Sequence, residues 1–146
     1  MADIHIDDFF KDAAGALTQL YLQFPRPVQL FVEDLTGPQE IDEFGLPNAR
    51  HMACFSTLLW LGDENFIRYV DTLRQDALDQ ATLTGRCFTA LVSPAVGAIV
   101  DYDADLPTYI QLEQGTQIHR IREALKSRSS IAIRTAMVEL LVILKS

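Results

Sequence analysis

The chain is poor in the residues that usually announce chemistry. Its 146 residues include two cysteines, three histidines and seven glycines. Cys54 and Cys87 lack any C-x-x-C or histidine-rich spacing, so both read as reduced core thiols; free cysteine is among the most buried residue types. The glycines are scattered, which excludes a phosphate-cradling loop and a dinucleotide fingerprint. G-x-S-x-G and the catalytic-cysteine signatures are missing as well. His5, His51 and His119 lie far apart, and only His5 has close carboxylates, at Asp3, Asp7 and Asp8. A terminal group of that kind is usually solvated, so no metal site is assigned to it. Asp101, Asp103 and Asp105 alternate as the first half of a calcium loop does, but Leu106 and Leu112 stand where the glycine and the bidentate glutamate belong. The expectation is a protein without enzymatic activity, cofactor or metal.

Long hydrophobic runs are also absent. The longest strongly apolar stretch, Met137 to Leu144, is interrupted by Glu139 and falls far short of the roughly 20 residues of a membrane span. The amino terminus, MADIHIDDFFKD, is acidic where a secretory signal is basic and then apolar. A cytoplasmic protein with no membrane segment is expected. A chain of this length buries roughly 68–70% of its unfolded surface. With 49% hydrophobic and 22% charged residues, its composition is that of an ordinary globular protein.

Basic residues are scarce in one half only. Residues 1 to 85 hold 14 acids against 5 bases, and residues 86 to 146 hold 6 against 7, which together make the net charge of −8. Neutralising phosphate supplies most non-specific nucleic-acid affinity, so the acidic first half counts against that function.

Several helices are legible. From Asp8 to Phe24 the residues Phe9, Phe10, Ala13, Leu17, Leu20, Tyr21 and Phe24 share one helical face, with Lys11, Asp12, Thr18, Gln19 and Gln23 opposite. Phe24-Pro25-Arg26-Pro27 ends that helix, since proline cannot continue the hydrogen-bond ladder. Val28 to Val32 reads as a short strand or the entry to a short helix ending near Gly37. Pro38 to Pro47 reads as an acidic loop, and Asn48 as the cap of a helix from Ala49 to about Glu64.

Strand signals follow. Phe66 to Val70 has strand composition, Asp71 to Asp79 reads as a polar connection, and Ala81 to Leu83 as the return strand. Thr84 is placed to cap a helix through about Val92. Ala95 to Tyr109 gives no firm signal. Ile118, Ile121 and Leu125 mark an amphipathic helix, and Ser129 or Ser130 caps a last helix to about Lys145.

This order of helix, short strand or helix, helix, hairpin and closing helix resembles the winged helix-turn-helix superfamily over about residues 8 to 92. The residues that carry the likeness are the passage Leu61 to Arg68 and Leu83-Thr84-Gly85. Many members continue the latter as leucine, threonine, any residue, lysine or arginine, glycine; here Gly85 and Arg86 are exchanged and Cys87 takes the usual glycine place. Asn65 stands where a glycine is frequent, and asparagine tolerates left-handed angles. The resemblance implies a winged-helix-like domain, residues 1–92, with a small β-hairpin wing; with the C-terminal helices read above, the expected fold is α+β and mostly helical, residues 93–146 forming a helical extension that packs on the domain or makes a dimer interface. The resemblance also implies that Ala49 to Glu64 is the recognition helix, with Asn48, Arg50 and His51 for base edges and Arg68 and Arg74 for phosphate. A solvated helix start is the plainer reading of Arg50 and His51.

Two segments carry surplus apolar surface. Met52 to Leu61 has only Ser56 and Thr57 as polar members. Ile131 to Leu144 presents Ala132, Ile133, Ala136, Met137, Leu140, Leu141, Ile143 and Leu144 over a wide arc, with Ile131, Val138 and Val142 between its polar residues. The first serves equally as core or contact surface. For the second a partner interface is expected through Ile133, Met137, Leu140, Leu141 and Leu144, with a homodimer the commonest outcome and another protein the alternative. The sequence therefore points to a non-enzymatic regulatory or protein-interaction module. The alternative is a DNA-binding transcription regulator that uses the helix from Ala49 and the wing.

Overall fold

The computed structural model describes residues 3–38, 48–95 and 112–145. The expected loop at 38–47 and the unassigned stretch at 95–109 lie almost wholly outside them. No helix among the described residues is long and apolar enough to cross a membrane. The fold is α+β, mostly helical with a small antiparallel sheet. The chain forms two compact units, Met1–Thr84 and Gly85–Ser146.

In the first unit, α1 (Ile4–Gln23) leads into β1 (Val28–Phe31) and the one-turn α2 (Val32–Thr36). Both readings of Val28 to Val32 are thus realised in succession. Gly37 ends α2 at φ 85°, a left-handed angle that glycine adopts at no steric cost. α3 (Ala49–Asp63) begins on Asn48, whose Oδ1 accepts the His51 backbone N–H at 2.7 Å. The expected cap is therefore in place. Leu17, Leu20, Leu30, Leu58, Leu61, Ile67, Leu78 and Leu83 are fully buried and make the bulk of the apolar interior.

The sheet corrects the sequence reading between Asp71 and Asp79, which is itself a hairpin rather than a connection. β2 (Ile67–Arg68) and β3 (Asp71–Leu73) both pair antiparallel with β4 (Ala77–Leu83), at Ile67↔Leu83 and Leu73↔Ala77. The register is the same on both sides of Tyr69-Val70, so β2 and β3 are one outer strand with a break. β1 pairs along the other edge of β4, at Val28↔Ala81 and Leu30↔Leu78. There two steps along β1 face three along β4, and Gln80 in the extra stretch has φ 53°. This is a β-bulge, which adds twist and interrupts the ladder. The polar composition of Asp71 to Asp79 hid this part of the hairpin, because β3 is three residues long with no buried side chain and, of the β4 residues in the stretch, only Ala77 and Leu78 are buried. Asn65 sits at φ 61°, the left-handed angle expected of it.

In the second unit, α4 (Gly85–Val92) packs on α5 (Gln117–Ser127) and α6 (Ser130–Lys145). The units part between Thr84 and Gly85, eight residues ahead of the boundary drawn from sequence, because Cys87, Ala90 and Leu91 turn the apolar face of α4 into this helical group. Thr84 itself donates its hydroxyl to the carbonyls of Asn65 and Phe66, closing the end of β4 onto the start of β2. α5 starts on Thr116, whose hydroxyl accepts the His119 N–H, and stops at Arg128, in a left-handed conformation at φ 58°. Ser129 then caps α6, its hydroxyl accepting the Ala132 N–H at 3.2 Å. The Arg86 guanidinium donates to the Leu144 carbonyl at the far end of α6, where unpaired carbonyls favour a cation.

Candidate functional site

The first turn of α3 carries three of the five residues singled out for base or phosphate contact, and the fold engages each of them internally. Asn48 holds the cap. Arg50 reaches across to α1, where Nη1 and Nη2 donate to Asp12 Oδ2 and Oδ1 at 2.5 and 2.6 Å, with Asp8 Oδ2 at 3.8 Å from Nε. This fork on a carboxylate is the strong two-bond geometry of arginine. Asp12 is 1% exposed, so the pair is half sunk into the α1–α3 contact. The hydrogen bond to Asp12 raises the Arg50 pKa above its ordinary value, against a smaller opposing effect of burial. The helical-face reading put Asp12 on the solvated side of α1. That placement is corrected: Arg50, supplied from α3, turns the carboxylate inward.

His51 is 1% exposed. Its Nε2 donates to the Gln75 carbonyl at 2.7 Å, and Asp76 Oδ1 lies 3.4 Å from the same nitrogen. Because a carbonyl only accepts, Nε2 carries a proton, and Nδ1 is buried without a hydrogen-bond partner among the described residues. The imidazole thus clamps the β3–β4 turn onto the head of α3. Beyond that clamp, Arg68 is exposed on β2 and Arg74 is exposed in the turn at φ 54°.

Aromatic contacts extend this face. Trp60 on α3 meets Phe9 edge-on at 5.2 Å and Phe66 at 5.6 Å, and Phe9 meets Phe10 at 5.4 Å. Trp60 keeps 36% of its surface in solvent. Gly62, the penultimate residue of α3, leaves room for Tyr69; a Cβ there would lie 2.8 Å from the ring. The sequence offered no signal for that approach.

Both cysteines are buried, and neither forms a disulfide. Burial pushes the Cys54 thiol up to about 12, with the negative charge of Asp12 adding to it. Burial pushes Cys87 to about 12 as well, against a lowering by Arg86. Thiols held so far above pH 7 are poor nucleophiles.

On α6 the structure redistributes the expected interface. Ile133, Met137, Leu140 and Leu144 are buried within the single chain and Leu141 is half-buried. They face the α4 and α5 side of the unit and form its core, which leaves no surface for a partner at those four positions. What α6 leaves outside is Ile131, Val138 and Val142, at 79%, 42% and 63% exposure. An open groove between α5 and α6 is lined by Arg120, Glu123, Ala124, Ser127, Ala132 and Thr135. Arg120 pairs with Glu139, and Lys126 with Glu123. Among the described residues no three histidine, cysteine or acidic side chains gather as a metal site.

Compared with protein-family models, curated proteins and solved structures, the chain has no match.

Proposed function

We propose that the chain is a non-enzymatic regulatory or protein-interaction module built on a winged-helix-like first unit, self-associating through its C-terminal helices. The element order of the first unit supports the fold reading: helix, strand, two helices, then a hairpin whose inner strand pairs with β1. The observation that carries the functional reading is the internal engagement of the α3 head. Asn48, Arg50 and His51 are committed to a cap, a carboxylate fork and a turn clamp. Base readout needs such side chains free at the groove.

A second reading, a DNA-binding regulator, keeps two exposed cations, Arg68 and Arg74. They stand among Asp71, Asp76 and Asp79 of the same hairpin, in a chain of pI about 4.7. Phosphates of the same sign as these carboxylates would be repelled. A salt titration of binding to random duplex DNA, starting near 50 mM salt, separates the readings, each neutralised phosphate contributing about −0.9 to the log–log slope. The module reading expects no measurable binding. A slope worth several phosphates would replace it with the second.

A further inference from the structure

We propose that the outer face of α6 pairs side by side, in parallel, with α6 of a second copy of this chain. This rests on the module reading above and names the surface that reading uses.

α6 is apolar on two opposite faces. Ile133, Ala136, Met137, Leu140 and Leu144 fill the inner one, and all five are buried. The outer one carries Ile131, Thr135, Val138 and Val142, at successive separations of four, three and four residues. That alternation averages 3.5 residues and is the seam pattern of paired helices. In heptad terms Ile131 and Val138 take d, and Thr135 and Val142 take a. Three of these four are aliphatic groups exposed to water, Ile131 and Val142 for most of their surface and Val138 for less than half of it. A single amphipathic helix packed on its own core has no use for such a second stripe.

The charges beside the stripe choose the partner and its direction. Arg134 falls at g and Glu139 at the following e, on opposite flanks of the seam and five residues apart. In a parallel pair, g of one helix meets the e five residues later on the other, so Arg134 of each copy faces Glu139 of its partner, twice by symmetry. An antiparallel pair brings like flanks together and sets the Arg134 flank, which also carries Lys145, against itself. Within its own chain Glu139 accepts from Arg120 through Oε2. Lys145, at the next d, ends the stripe after two heptads. The aliphatic patch amounts to a few hundred Å² per copy, below the roughly 800 Å² per partner of a standard interface, so the association is a weak, concentration-dependent one.

The test is sedimentation equilibrium of the full chain from about 1 μM to 1 mM, the span in which interfaces of this size associate. The apparent mass is expected to rise from 16.4 kDa toward twice that value. Val138→Glu and Ile131→Asp, both at exposed positions, hold it at the monomer value with unchanged circular dichroism. Val70→Glu, 71% exposed in the first unit, leaves the rise intact. Arg134→Glu weakens association at least several-fold by setting like charges at both flanks. Direction is read by oxidative cross-linking: in the parallel pair Ile131→Cys alone and Val142→Cys alone each give a covalent dimer, and the two native thiols are buried out of reach. A wild type that stays monomeric at 1 mM, a dimer indifferent to Val138→Glu, or cross-links formed only between an Ile131→Cys chain and a Val142→Cys chain would each overturn the inference. The DNA titration above is read independently: a monomer without DNA affinity ends this inference and leaves the module reading in place.

Discussion

Arg50 and Asp12 show how one ion pair decides what a helix start can do. Asp12 is buried and Arg50 is one-third exposed, so the two halves of the pair are not equivalent. Removing the guanidinium strands a carboxylate in the interior, whereas removing the carboxylate leaves a cation that can turn to water. Arg50→Met is therefore expected to lose about 3 kcal/mol in urea unfolding, and Asp12→Ala only about 1–2 kcal/mol. Equal losses would mean that Arg50 does not shield Asp12. The pairing was illegible in the sequence because its members lie 38 residues apart and Asp12 falls among polar neighbours on the helical wheel. The thiols give a second residue-level expectation. With Cys54 and Cys87 near 12, the native protein should be inert to a disulfide reagent at pH 8, and two thiols should appear only in denaturant. These raised values also bear on stability. The folded state holds both protons more tightly than the unfolded chain, whose thiols titrate near 9. Their contribution is complete below pH 9 and is lost as pH rises from 9 toward 12. Alkaline loss of stability over that window should be shallower in the Cys54→Ala, Cys87→Ala double variant.

At the scale of elements, the helices were readable throughout and the sheet only in part. Periodicity located α1 and α5, capping residues and apolar runs located α3 and α6, and the caps Asn48 and Ser129 stand where their side chains suggested. Each replaces a backbone partner that the helix lacks, so Asn48→Ala and Ser129→Ala should each cost about 1 kcal/mol. The outer end of the hairpin was read correctly, with Ile67 and Arg68 pairing with Leu83 and Thr82, but its continuation from Asp71 to Asp79 escaped notice because β3 is three residues long and carries little apolar signal. Its bulge makes a distinctive prediction at Gln80. A left-handed angle costs an ordinary residue about 1–2 kcal/mol, while glycine brings an entropic cost of about 0.5–1 kcal/mol. Gln80→Gly should thus be neutral or slightly stabilising, and Gln80→Val clearly destabilising, in thermal melts. Matching losses from both would mean that the side chain, rather than the backbone angle, matters there. On α6 the arc of apolar residues was correctly seen, but its halves were exchanged: the residues expected to meet a partner are core, and those set among polar neighbours face outward. Composition cannot tell one face from the other when both are apolar.

For the molecule as a whole, charge and division into units set the expectations. A net charge of −8 keeps copies apart near neutral pH, so solubility should be lowest near the pI of about 4.7. Any self-association through α6 works against that repulsion and should strengthen when moderate salt screens the net charge, up to the point where the Arg134 and Glu139 pairs are screened too. The acidic balance was plain from the sequence and bears directly on the DNA reading. The partition at Thr84 was not, because nothing in Leu83-Thr84-Gly85-Arg86 marks a boundary; it arises only from where α4 finds its packing partners.

The single tryptophan lends the fold a built-in gauge. Trp60 lies in the first unit, ringed by Phe9 and Phe66, and the second unit has no such chromophore. Its emission therefore follows the melting of one half of the chain alone, while helical ellipticity follows both. Superimposed curves would describe a molecule that comes apart in a single cooperative event. Curves that separate would describe two halves with lives of their own, and would say which of them yields first.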